Sequence, residues 1–448
     1  MTQGALRRAV PDEPAFDPHR FPPAARRNRL QQTLLVNRNP LTELARARER
    51  HGPVFTMRIY PYQGVVCVTD AATNREVLTD HERFAAGDAA DLIEPLVGEH
   101  SLILTPSPRH ARNRKLLMPP FHGSRLAPWS GVIEALADEY LPELGTGRPV
   151  AVRPWAQRLT LDVILRVVFG IDDPSRRDDY RTALDRMMSP GNLALLFAPG
   201  PLRRDLGPLS PGRAFERRRA AVDRLLDDEI AMRRADPSAG DKTDVLSLLL
   251  AARDEDGVGF TDRELRDELK GLVVAGHETT ATCLAWCLHL LAHHPAALSA
   301  LRADLAAGST RYLRATIQET MRLRAPVWDA VRIAVRDTEL GGQPVPAGAY
   351  VSAMFCATHV AADVWDDPDD FRPERLLDGG HDTWSLTPFG GGARRCVGAA
   401  LAQLELEVVL KAALGRGDLL PGGAPEPVRL LGVTLVPAKG GRVVLRTA

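Results

Sequence analysis

Apolar positions in this 448-residue chain recur mostly at helical spacing, interrupted by a few runs with strand character. Val54-Phe55-Thr56-Met57-Arg58-Ile59-Tyr60 and Val65-Val66-Cys67-Val68-Thr69 are rich in β-branched and aromatic residues and flank Pro61-Tyr62-Gln63-Gly64, which predicts a hairpin. Before it, an arginine-rich, proline-containing lead-in ends near Pro40, and Leu41 to Glu49 reads as a short helix. After it, Asp70 to Asp80 reads as a helix and Phe84 to Ile103 as irregular chain. Trp129 to Arg234 is mainly helical, with Leu159 to Phe169 the most apolar part and the expected core helix. Prolines and glycines break this pattern between Met187 and Arg213, around Leu195, Leu196 and Phe197. That composition suits a moving lid and an inert loop equally.

The longest helical signal opens at Thr261-Asp262-Arg263-Glu264, a capping box, and runs to His294, where Pro295 stops it. Its apolar stripe of Leu269, Leu272, Val273, Leu284, Leu288 and Leu291 is interrupted by Gly276-His277-Glu278-Thr279-Thr280. Gly276 removes bulk and weakens the helix there, while an acid beside an alcohol offers a proton route inside an apolar element. Taken alone, the same stretch is explained by threonines bonded to the preceding turn and a paired core carboxylate. His110 and Arg114, four apart, share a helix face and either grip one anion or form a solvated basic face. Glu319 and Arg322, three apart, make an ordinary helical ion pair.

Composition narrows the classes. With 57 basic and 57 acidic residues the charge balance carries no nucleic-acid footprint. A 44% hydrophobic chain of this length supports a sizeable core, and no Gly/Ser linker divides it, so we expect one domain over 1–448 with a peripheral 1–40. Met1 to Phe16 is polar, without an apolar segment, which predicts neither signal peptide nor membrane anchor and a cytoplasmic protein. Five scattered cysteines suit a reducing compartment, and Cys283 and Cys287, one turn apart, read as buried thiols.

The remaining chemistry concentrates in Phe389-Gly390-Gly391-Gly392-Ala393-Arg394-Arg395-Cys396-Val397-Gly398. Three glycines allow left-handed geometry and a close approach of backbone to a bulky ligand. Val397, Leu401, Leu404 and Val408 recur at helical spacing, so Cys396 sits ahead of a helix whose dipole favours thiolate. A phosphate loop would end in Lys-Ser or Lys-Thr, and a zinc site needs about four ligands. A planar macrocycle supplies four equatorial nitrogens and asks the protein for one axial atom, which points to haem.

These ten residues match the signature Phe-Gly-x-Gly-x-Arg-x-Cys-x-Gly, and the chain resembles the cytochromes P450 from about the hairpin to Arg446. Ala275-Gly276-His277-Glu278-Thr279-Thr280 resembles the family's oxygen-binding motif. The resemblance implies a mainly α fold with a small β region, holding haem b between a long central helix and the cysteine-loop helix. It implies Cys396 as the iron ligand, Phe389 beside the thiolate, His110, Arg114, Arg332 and Arg394 on haem carboxylates, and Ala275 and Gly276 against the haem. Thr279 and Glu278 would supply the hydroxyl and the protons as O2 is split. Glu319, Arg322 and Arg375 would form a structural network. Leu92, Ile93, Leu96, Val97, Phe197, Val327, Trp328, Asp329, Val433 and Thr434 would line the substrate pocket, Trp328 and Asp329 being departures from the usual residues. Ala362 stands where the family often has arginine in His359-Val360-Ala361-Ala362-Asp363.

The implied activity is hydroxylation or epoxidation of a small, largely apolar compound such as a secondary metabolite, terpenoid or steroid-like molecule. The residues after Cys396 carry no flavin or iron–sulfur motif, so a separate ferredoxin and NAD(P)H-dependent ferredoxin reductase are expected, with no fused reductase domain and a monomeric protein. Lys115 and Arg395 are candidates for docking the acidic carrier. Two alternative classes remain: an enzyme driven by peroxide or catalysing a redox-neutral rearrangement or ring coupling, which often alters the acid–alcohol pair kept here as Glu278-Thr279, and a non-catalytic haem sensor or ligand-binding protein, which would not need it.

Overall fold

The computed structural model describes residues 10–198, 204–207, 210–379 and 381–447. The predicted hairpin forms from Val54–Met57 and Val65–Val68, paired antiparallel with Val54 opposite Val68. It is the start of a larger sheet. Tyr350–Ala353 adds parallel to the second strand, Ala330–Ala334 pairs antiparallel with Tyr350–Ala353, and Phe84–Ala85 closes the edge with Phe84 opposite Ala334. One face packs Val66, Val68, Phe84, Val351 and Ala353 together. A second apolar cluster gathers Val65 and Cys67 with Leu44, Met354 and Trp328. Trp328 packs in this cluster among Leu44, Phe55 and Met354.

Contacts divide the chain into two compact units, and each is described by itself. The second unit comprises Val10–Ala85, Ile133–Leu159 and Glu278–Ala448, and holds this sheet. The Pro40–His51 helix is present, but so is an unforeseen helix at Arg29–Arg38, capped by Asn28. It escaped notice because it has no apolar stripe: Leu30 and Leu34 are exposed, and only Gln32 and Val36 are buried. Asp70 caps Ala71–Thr79 by accepting from the Thr73 amide at 2.8 Å. The expected turn and strand near Gly432 form a hairpin of Val428–Leu431 with Thr434–Pro437. Glu405, on the helix Ala399–Gly415, is buried with Oε1 lacking a partner, and burial raises its carboxyl well above the usual range.

The first unit includes Ala86–Val132 and Thr160–His277. The expected irregular stretch contains a 3-10 helix, Asp88–Ile93, and a single α turn, Glu94–Val97. Met187 to Arg213 contains a helix, Pro190–Leu196; residues 199–203 and 208–209 lie outside the described residues. Asp162 is fully buried and accepts from Arg177 Nη1 at 2.9 Å and from Arg181 Nε at 2.7 Å. The long helix runs Asp262–His293, and its capping box closes through Glu264 Oε2, which accepts from the Thr261 amide at 2.8 Å.

Residues 98–105 are strapped to that helix. The His100 and Leu102 amides donate to Asp267 Oδ2 at 3.1 Å and Glu268 Oε2 at 2.9 Å. Gly98, at φ +86°, leaves room that a Cβ would lose, 2.2 Å from Asp267 Oδ1. Burial pushes the Glu268 carboxyl up to about 8, against the opposing bonds from Leu102 and Asn113.

Folded Glu268 therefore keeps its proton where the unfolded chain has released it, so its contribution to stability is lost as pH rises from about 4.5 through about 8. In Glu268→Gln this loss should vanish, and urea midpoints between pH 5 and 9 should fall less steeply than in the unsubstituted protein.

Candidate active site

In the second unit the chain reaches Cys396 through a sequence of tight constraints. The Thr387 amide donates to His359 Nε2 at 2.9 Å, the Gly390 amide to Thr387 O at 2.9 Å, and the Cys396 amide to Phe389 O at 2.9 Å. Burial pulls the His359 imidazole down to about 3, so it accepts as a neutral ring. Gly390 and Gly392 adopt φ +68° and +65°, and a Cβ on Gly392 would stand 2.5 Å from Leu78 O. At Gly391 it would stand 2.5 Å from the Trp384 ring. Each glycine is thus required by its own geometry. Gly392–Arg394 is a 3-10 turn and the helix begins at Ala399 rather than Val397, so Cys396 precedes it by three residues. The Cys396 side chain is exposed and Phe389 is half-buried.

The segment leading to this loop is fixed by Glu319, Arg322 and Arg375. Arg322 Nε donates to Glu319 Oε2 at 2.7 Å, Arg322 Nη2 to Glu319 Oε1 at 2.9 Å, and Arg375 Nε to the same Oε1 at 3.1 Å. Both Glu319 and Arg322 have zero exposure. Arg322 Nη1 also donates to His359 O and Pro368 O, at 2.9 and 2.8 Å. What the sequence offered as an ordinary helical pair is the hub for residues 359–375. Where the family often has an arginine, Ala362, the neighbouring Asp363 is paired with Arg48 at 2.9 Å.

Arg332 lies on the strand Ala330–Ala334, buried, with Nη1 donating to Val331 O at 2.9 Å and Nε without a partner. Burial lowers its guanidinium to about 10, opposed by Asp329. With Nε left without a partner, this guanidinium keeps a donor for an external anion. His81, which nothing in the sequence singled out, is near enough to Arg332 and Arg394 that their charges add to burial in lowering its imidazole. Asp329 is half-buried, with Oδ2 accepting from the Ser352 hydroxyl; burial raises it to about 6. An exposed thiol on a glycine cradle and a buried orphan guanidinium in one unit fit a haem: Cys396 would hold the iron, and Arg332 and Arg394 the carboxylates.

The long helix continues without a break through the interrupted stripe, so Gly276 does not open it. In the first unit Gly276 instead lets Ile164 close in, since a Cβ there would stand 2.9 Å from Ile164 Cδ1. Ala275 is exposed beside it, and Thr279 is half-buried in the second unit. Glu278 is anchored by Arg153 Nε at 3.0 Å, Gln157 Nε2 at 2.7 Å and Thr282 Oγ1 at 3.3 Å. Arg153 and Gln157 lie more than a hundred residues upstream, beyond any periodicity signal. His110 and Arg114 share the helix Arg109–Leu117 of the first unit, His110 buried and Arg114 half-buried.

Two segments expected to line the pocket meet in the second unit: Val327 bridges Thr434, and the Leu435 amide donates to Pro326 O at 2.8 Å. Val433 is 46% exposed, because it lies in the turn of the Val428–Pro437 hairpin. Leu92, Ile93, Leu96, Val97 and Phe197 belong to the first unit, with Leu96 and Val97 buried and the other three half-buried. Lys115 pairs with Glu255, so its charge is already answered within the chain.

The cytochrome P450 family description matches residues 18–444. A Mycobacterium tuberculosis protein named as cytochrome P450 137 is 38% identical over 407 residues, covering 90% of this chain and 85% of its own. Another from the same organism, named as cytochrome P450 135B1, is 36% identical over 437 residues, covering 95% and 91%. Among solved structures, the retinoic acid-bound cyanobacterial CYP120A1 superposes with a TM-score of 0.82 at 26% identity, covering 96% of this chain and 99% of that one. Cytochrome P450DA superposes at 0.83 with 24% identity, covering 95% and 97%.

Replacing Glu319 by Ala strands Arg322 without its carboxylate in a site closed to water, and should cost about 3–5 kcal/mol. Chemical denaturation followed by circular dichroism would register the loss, and a cost under about 1 kcal/mol would contradict the role given to this cluster.

Proposed function

The chain belongs to the cytochrome P450 family and is a haem monooxygenase; on that premise we propose that it hydroxylates or epoxidises a small, largely apolar organic molecule with electrons from a separate ferredoxin and NAD(P)H-dependent reductase. The observation that carries the site assignment is the exposed Cys396 in the same unit as the buried Arg332, whose Nε has no partner. Bound there, haem supplies the iron at which dioxygen is reduced and one oxygen atom is passed to the substrate.

The residues of the chain do the rest. Cys396 would donate its sulfur to the iron, and Arg332 and Arg394 would neutralise the carboxylates. Thr279 presents a hydroxyl that holds a proton where oxygen is split, and Glu278 replenishes it. Arg153 and Gln157 keep the Glu278 carboxylate in one orientation, so protons relayed through it pass along a fixed direction. Val327 and Thr434 form one wall of the pocket, and retinoic acid, the apolar molecule bound in the cyanobacterial neighbour, is consistent with an apolar substrate here. Among the described residues no helix is long and apolar enough to cross a membrane.

Dithionite-reduced protein with carbon monoxide should show the strongly red-shifted Soret band of thiolate ligation, and Cys396→Ser should abolish it; a band typical of neutral ligation in the unsubstituted protein would defeat the assignment. With surrogate ferredoxin and reductase, Thr279→Ala should lower product formed per NADPH by about tenfold or more, with the missing electrons recovered as hydrogen peroxide. Unchanged coupling would remove Thr279 from the proton path.

A further inference from the structure

Resting on the haem-thiolate assignment above, we propose that His81 is a further cofactor-binding residue, which joins Arg332 and Arg394 in holding the haem carboxylates and takes up a proton as it does so. His81 stands in a turn between the helix Ala71–Thr79 and the strand Phe84–Ala85, and both flanks are pinned to elements that carry the two arginines. On one side, the end of the helix abuts the Gly392–Arg394 turn so closely that a Cβ on Gly392 would stand 2.5 Å from Leu78 O and 3.6 Å from Thr79 Cγ2. On the other, Phe84 and Ala85 pair with Ala334 and Ile333 of the strand bearing Arg332, and the Val335 amide donates to Arg83 O at 2.9 Å.

The turn itself is rigid. Asp80 Oδ1 accepts from the Glu82 and Arg83 amides at 3.2 and 3.0 Å, Asp80 Oδ2 from Arg83 Nε at 2.7 Å, and the Phe84 amide donates to Asp80 O at 3.0 Å. His81 is therefore delivered to the space between Arg332 and Arg394 by backbone geometry. The charged groups bearing on it are Arg332 from the strand, Arg394 from the cysteine loop and Asp80 from its own turn. Burial and the two arginines keep the imidazole neutral in the absence of an anion, and Asp80 only partly opposes them.

A pair of carboxylates entering this space reverses the balance. They neutralise the guanidiniums, including the orphan Arg332 Nε, and offer an acceptor to a protonated ring. Binding then favours the imidazolium, so by linkage the cofactor is held more tightly as pH falls from 8 to 6.

The test compares the unsubstituted protein with His81→Gln, which cannot titrate, and His81→Lys, which is permanently charged. Each is loaded with haem, its carbon monoxide band recorded, and haem transfer to excess apomyoglobin followed at pH 8 and pH 6. The unsubstituted protein should lose haem several-fold more slowly at pH 6 than at pH 8. His81→Gln should lack that difference and lose haem at least as fast as the unsubstituted protein does at pH 8. His81→Lys should be as slow at pH 8 as the unsubstituted protein is at pH 6. Loading by Lys but not by Gln would also support the charge requirement. Equal rates and equal pH dependence in all three would overturn the proposal, as would failure of both variants to load, which would make His81 a folding residue. Absence of a thiolate band in the unsubstituted protein would instead bring down the haem-thiolate assignment, and this inference with it.

Discussion

A carboxylate closed off from water, Glu319, meets two guanidiniums, and that cluster fixes how the chain returns to Cys396. Arg322 spends its remaining donors on the carbonyls of His359, Pro368 and Asp370, so one side chain fastens three points of a meandering segment. An irregular stretch cannot satisfy its own carbonyls as a helix does, and a buried cation with five N–H groups can do it instead. Fully buried ion pairs are costly to assemble and add little net stability over apolar packing. Their value here is uniqueness: any other path for residues 359–375 would leave a charge stranded.

The glycines downstream follow from the same demand for one path. Gly390 and Gly392 turn through left-handed backbone, and Gly391 and Gly392 lie against the Trp384 ring and the Leu78 carbonyl. The Gly392 contact also brings the end of the helix Ala71–Thr79 to the cysteine loop, so a loop that looks self-contained in sequence is seated on an element three hundred residues earlier. The His359 imidazole, neutral because it is buried, closes the approach by accepting from Thr387.

Local chemistry was legible in the sequence. The hairpin, the helix after Asp70, the Thr261–Glu264 box and the glycine-rich turn before Cys396 are each written within about ten residues, and each is formed. Partners distant in sequence were not legible. Arg153 and Gln157 on Glu278, His81 beside Arg394, and the strands that extend the hairpin depend on a fold that no window of residues contains. The apolar cluster around Trp328 is likewise assembled only by the folded sheet. The Arg29–Arg38 helix lacks an apolar stripe, and its Asn28 cap was the only signal available.

The strap residue Glu268 changes the electrical identity of the whole molecule. The formal balance of 57 positive and 57 negative residues treats every carboxyl as ionised. Glu268, pushed up to about 8 by burial, is mostly protonated when folded at pH 7, and burial raises the Glu405 carboxyl as well. Unfolding at neutral pH therefore discharges about one proton from Glu268 into the buffer.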